Sequence, residues 1–276
     1  IRSDSSRLLV LYPQAVHYQE DGKWEEVDNT LVSEQDESGK EILKNKAGRM
    51  QVKLPKTYSP ENEIILVKDG YVLKFKLDGE YKPAKSIVDE NNTKQLSGLT
   101  ENQKKTVPTK WESALTYAEV LPNTDIKYNL EPEALKESIV VKQLPESPQA
   151  YTFSIYAEQL EPVMQKDNSI YFYAKDKEEK DPVFVMPAPY MIDDKGEVNY
   201  DVKLTLDVKE EGCKITYEPA MDWLKDPKRA YPIVIDPVVT ASLDINNIKD
   251  QQVDSLKNDV SYTSSYIECG KHTTYG

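Results

Sequence analysis

Val198-Asn199-Tyr200-Asp201-Val202-Lys203-Leu204-Thr205-Leu206-Asp207-Val208 places an apolar or aromatic side chain at every second position, with a polar one between each pair. Side chains of an extended strand point alternately to opposite faces, so this run makes a strand with one dry face and one wet face. An α-helix repeats every 3.6 residues and would scatter the same valines and leucines around its circumference. Shorter copies recur as Met50/Val52/Leu54, Ile126/Tyr128/Leu130, Tyr151/Phe153/Ile155, Ile170/Phe172/Ala174 and Ile215/Tyr217. Turn residues sit where hairpins need them. Ile64–Val67 and Tyr71–Leu77 flank Lys68-Asp69-Gly70, whose Asp-Gly pair supplies the positive-φ positions of a two-residue turn. Gly22 and Gly196 mark two more turns. Helical signals are confined to Pro132–Lys136 and Pro219–Leu224, each long enough for a turn or two beginning near a proline. The expected fold is all-β: antiparallel β-sandwich architecture in two packed lobes, residues 1–105 and 106–238, divided by the polar stretch between Lys85 and Lys110.

The 276 residues suffice for one large or two modest domains with a sizeable core. A net charge of −13 repels phosphate backbones and anionic membranes, so nucleic acid and membrane insertion are not expected as partners. The chain has no run of about 18 apolar residues, and it opens on Ile1-Arg2-Ser3, so neither a membrane span nor a signal peptide is expected within it. Cys213 and Cys269 lie far apart and outside any Cys-x-x-Cys pattern, which argues against zinc. Two unrelated thiols are expected, with a disulfide as the alternative. No phosphate-binding loop appears, and no cofactor is expected.

Several segments together resemble the N-terminal β region of secreted or wall-associated bacterial proteins that carry DNRLRE modules or YD (Rhs-type) repeats. The segments are Tyr12–Tyr18 continuing through Trp24, Asp28 and Asn29; Tyr117–Tyr128, including Asp125; Leu135–Val140, with Lys136 and Glu137; Pro187–Asp193; and Arg229–Pro237, with Tyr231, Pro232, Asp236 and Pro237. The likeness spans roughly residues 7–240. It implies an exported, wall-associated or surface location, further β modules downstream in the same polypeptide, and a truncated DNRLRE-like start at 239–276. It carries no catalytic residue.

The site candidates follow from residue type and position. Tyr171 and Tyr173 should stand side by side on the outer face if Ile170, Phe172 and Ala174 face the core, a platform for cell-wall glycan or other carbohydrate. Asp193, Asp194 and Glu197 invite calcium, but they lack the alternating acid ladder of an EF-hand, and a glycine-bearing hairpin turn is expected. Asp125 and Glu137 are the carboxylates a glycoside-acting enzyme would use as an acid pair. A Lys136-based isopeptide cross-link is opposed by the opposite facing of adjacent residues. His17 and His272 have no ligand-spaced partner, and Trp24, Trp111 and Trp223 are expected in cores or lobe contacts. Tyr231–Pro237 reads as a final strand, with Asp236 fixing the turn into the next domain. The expected function is a non-catalytic structural or interaction module with weak wall or glycan affinity. The alternatives are a carbohydrate-active enzyme domain and the N-terminal part of a YD-repeat polymorphic toxin shell.

Overall fold

The computed structural model describes residues 15–89, 110–177, 181–236 and 238–241. The chain divides into two units, 1–242 and 243–276, and the second lies outside the described residues, as do Cys269 and His272. The first strands are β1 (His17–Glu20), β2 (Lys23–Glu26), β3 (Asp28–Gln35), β4 (Glu41–Ala47), β5 (Met50–Pro55), β6 (Thr57–Tyr58), β7 (Ile64–Lys68), β8 (Tyr71–Leu77) and β9 (Ala84–Asp89). Next come β10 (Ser113–Leu121), β11 (Thr124–Glu131), β12 (Ala134–Val141), β13 (Tyr151–Tyr156), β14 (Leu160–Met164), β15 (Ile170–Ala174) and β16 (Pro182–Met186). The last are β17 (Tyr190–Ile192), β18 (Val198–Asn199), β19 (Val202–Lys209), β20 (Gly212–Pro219), β21 (Ile233–Asp236) and β22 (Val238–Ala241), with one short helix, α1 (Met221–Leu224), before β21.

An eight-stranded antiparallel sheet runs β19-β20-β13-β8-β7-β5-β4-β3, and a twelve-stranded sheet packs against it. The larger sheet branches at β12. Its Ala134–Lys136 half pairs with β22, which leads on to β16, β15 and β14; its Ile139–Val141 half pairs with β21, which leads to β17 and β18. On the far side of β12 lie β11, β10, β9 and β6. One apolar core joins the two sheets, with Val52, Leu66, Leu73 and Phe75 from one and Leu115, Ile126, Ile139, Phe172 and Ile235 from the other. Aromatic side chains cross the seam, Phe75 meeting Tyr128 at 6.5 Å between ring centroids.

The all-β reading holds, and Asp21-Gly22, Asp69-Gly70 and Gly196 all adopt the positive φ that their turns need. Several details differ. The partition at residue 105 does not follow the sheets: β13, β19 and β20 complete the sheet begun by β3–β8, while β6 and β9 extend the other one. The alternating run at 198–208 is two strands. Val198–Asn199 pairs with β17, and Val202–Lys209 forms an edge of the other sheet, because exposed Tyr200 and Asp201 make the crossing. Pro132–Lys136 is not helical; Pro132 and Glu133 form the turn of a β11–β12 hairpin, whose β-branched Ile139, Val140 and Val141 favour the strand. The helical turn after Pro219 is present as α1. Val239–Ala241 belong to the main sheet rather than to a following module, since β22 pairs with β12 in the same register as β21 does.

Gly212 begins β20 where three backbones converge, opposite Tyr156 on one side and Lys209 on the other. A Cβ there would lie 1.9 Å from the Ile155 carbonyl oxygen, and φ is +157°. Gly212→Ala should therefore lower unfolding stability by about 3 kcal/mol or more, through backbone displacement. Gly196→Ala has open space at a positive φ of 84° and should cost about 1 kcal/mol. Denaturant unfolding of the two variants checks the order.

Candidate functional site

The groups most displaced from their ordinary protonation lie in the seam between the sheets. Inside-outside alternation along β12 puts Leu135, Glu137, Ile139 and Val141 on its inner face, so an acid occupies a core position. Glu137 sits directly across from Tyr128, whose hydroxyl donates to Glu137 Oε1. Tyr117 donates to the Pro55 carbonyl of the opposite sheet, and its ring stacks 4.8 Å from that of Tyr58 and 6.1 Å from that of Tyr128. Tyr81 closes the group, 5.6 Å from Tyr58. The Tyr58 hydroxyl is buried beside Tyr128 without the geometry of a full hydrogen bond.

Burial disfavours every charged form here. It pushes the Glu137 carboxyl up to about 8; the Tyr128 hydrogen bond pulls the other way, and the nearby Asp236 charge adds to the rise. Burial also lifts Tyr58, Tyr128 and Tyr117 well above the usual phenol range. Asp236 is raised by its own burial, against the pull of Tyr190, whose hydroxyl donates to Asp236 Oδ2 at 2.5 Å. At neutral pH the seam therefore holds a protonated carboxyl between tyrosines. As placed, Glu137 is sealed from any outside substrate, at 5% exposure.

The other candidates separate. Asp125 faces away from Glu137, on the outer side of the sheet, where it meets Lys142 at 2.7 Å and accepts from the Glu119 amide. Asp125 and Glu137 thus form no acid pair, and Lys136 turns outward to Glu131 at 2.6 Å. Tyr171 and Tyr173 do share an outer face, centroids 6.1 Å apart. Asp193 is saturated: Oδ1 accepts from the Lys195 and Glu197 amides, and Oδ2 from Arg229 and the Ala230 amide. Burial opposes its ionisation, but these donors outweigh it and hold the carboxyl below its ordinary value. Asp194 and Glu197 stay in the turn, exposed. Among the described residues, no group of three or more His, Cys, Asp or Glu side chains is placed to hold a metal ion.

Trp24 corrects its core expectation: it is 69% exposed on the β1–β2 hairpin, across from Gln19. Trp111 is buried, and Trp223 lies half-buried under Arg229. Asp28 accepts from the Thr30 amide, and buried Asn29 bridges the Trp111 carbonyl and Asn45. Tyr231 donates to the Leu224 carbonyl, and Pro232 follows it exposed. Asp236 does not fix an outgoing turn, because pairing with β12 resumes at Val238, beyond Pro237, which lies outside the described residues. Cys213 is a buried free thiol that burial pushes up to about 12. His17 is exposed in β1. The helical signal at Pro132–Lys136 obscures the alternation that buries this acid. Read as a strand, Leu135-x-Glu137-x-Ile139-x-Val141 puts Glu137 inside.

No family model and no solved structure matches the chain. Three curated relatives do, each 34% identical over 136 residues, which is 47% of this chain and 6% of the relative. They are named the tRNA3(Ser)-specific nuclease WapA of Bacillus spizizenii, the tRNA(Glu)-specific nuclease WapA of Bacillus subtilis subsp. natto and the tRNA nuclease WapA of Bacillus subtilis. The expectations of a non-catalytic module, a glycan-acting alternative and no nucleic-acid partner are corrected by these names. The physical reason lies in scale: a section matching 6% of a relative's length has a charge balance that says nothing of the remainder.

Titration of Glu137 is measurable in its own right. Between pH 4.5, its ordinary value, and about 8, the folded chain keeps a proton that the unfolded chain has lost, so this group's contribution to stability falls as pH rises through that window. The full span is on the order of 5 kcal/mol. Glu137→Gln should flatten the pH dependence of the thermal midpoint between pH 5 and 8 and raise it most at pH 8. A midpoint whose pH dependence matches the parent's would refute the buried-acid account.

Proposed function

We propose that this chain is a section of a large bacterial nuclease acting on tRNA, exported to the wall or cell surface. The observation that carries the reading is the 34% identity over 136 residues to three Bacillus proteins named as tRNA nucleases. The match covers nearly half of this chain, and the fold gives it physical meaning, because a two-sheet core constrains inward positions along almost every strand. Export is supported by the resemblance to secreted and wall-associated proteins, which also implies further modules downstream. Among the described residues, no helix is long and apolar enough to cross a membrane.

The test uses the full-length protein. Incubated with total tRNA and resolved on a denaturing gel, it should convert one or a few tRNA species to discrete fragments. Intact tRNA across a range of divalent-cation conditions would overturn the reading. Fractionation of the producing cells addresses location separately, with the protein expected in the wall or culture fluid.

A further inference from the structure

The outer face of the eight-stranded sheet departs from the acidity of the chain as a whole. Opposed residues of neighbouring strands share a face, so the register lays out a row across that surface: Val32, Lys44, Lys53, Ile65, Lys74 and Tyr156. Lys44 stands directly across from Lys53, a like-charge pair of the kind that destabilises a sheet. Lys74 lies two strands from Lys53, about 10 Å away. Lys46 and Gln51 extend the surface on one side.

Little acid offsets these cations. Glu34 reaches Lys44 only at 3.8 Å, and Asp78 is committed to Lys214 at 2.7 Å. Among the described residues, no hydrogen bond or ion pair occupies the ammonium groups of Lys46, Lys53 and Lys74. Between them, half-buried Ile65, Val67 and Val72 form an apolar floor along which the lysine stems can lie. Tyr156, 44% exposed, offers a ring at the end of the row. Ammonium groups that protein acids leave open, set beside an exposed aromatic, fit a phosphodiester chain with unstacked bases.

We propose that this face docks the sugar-phosphate backbone of tRNA, which rests on the reading that the whole protein acts on tRNA. The like-charge pair is then neutralised by the bound backbone, and affinity falls steeply with salt as counterions return.

The 276-residue chain is titrated into fluorescein-labelled mixed tRNA and followed by anisotropy from low to physiological salt. Lys53→Glu with Lys74→Glu should weaken binding at least tenfold and reduce the log-log salt slope by roughly 1.4–1.8, the loss of two phosphate contacts. The milder Lys53→Gln with Lys74→Gln should fall between the two. Lys127→Glu with Lys195→Glu makes the same charge change on the other sheet and should stay within twofold of the parent. Unchanged affinity in the first pair, an equal loss in the control pair, or tighter binding of a glycerol-phosphate polymer than of tRNA would each overturn the assignment. A full-length protein that cleaves tRNA while this face fails to retain it would sink the surface alone. Intact tRNA in the cleavage assay would sink the functional reading instead, whatever the anisotropy shows.

Discussion

Two sheets must bury one face each against the other, and that single contact sets the side-chain pattern of nearly every strand. Leu66, Leu73 and Phe75 meet Tyr117, Ile126 and Tyr128 because each occupies the inward turn of its own alternation. A protein interior packs as densely as an organic crystal, so the positions are interdependent. Glu137 is the exception that shows the strength of the rule. The pleat turns it inward whatever its chemistry, and the core accepts it by keeping its proton and surrounding it with phenol groups.

The strands were legible because period two survives in short segments and because Asp-Gly turns require a particular backbone. Tyr151/Phe153/Ile155 and Ile170/Phe172/Ala174 became strands β13 and β15 with the facing they implied. Long-range pairing was not legible. Nothing in β13 says that it lies between β8 and β20, since alternation records which face is dry and not which neighbour supplies hydrogen bonds. The division at residue 105 failed for that reason: the polar stretch marks a break in pattern, while the sheets are interleaved across it. Among the site candidates, Tyr171 and Tyr173 depended only on facing and were placed correctly. Asp125 and Glu137 depended on strand parity across a turn that was read as helix.

Net charge is coarse in a related way. The total of −13 is a sum over all surfaces, whereas screening at physiological salt confines an exposed charge's influence to about 8 Å. A partner touching one face responds to the lysines of that face, and the acids clustered elsewhere act weakly on it. Charge therefore has to be read strand by strand once register is known.

The branching of the larger sheet has a bearing on when the molecule can assemble. Among the described residues, hydrogen-bonded pairing joins β14–β16 to the remainder only through β22, and β17–β18 only through β21. Strands β21 and β22 are thus a late-arriving keystone for a ribosome that makes the chain from its N-terminus. Until they emerge, β12 carries an open edge and three partial sheets have no ladder between them, so a growing chain cannot complete this sheet before β22 has been made.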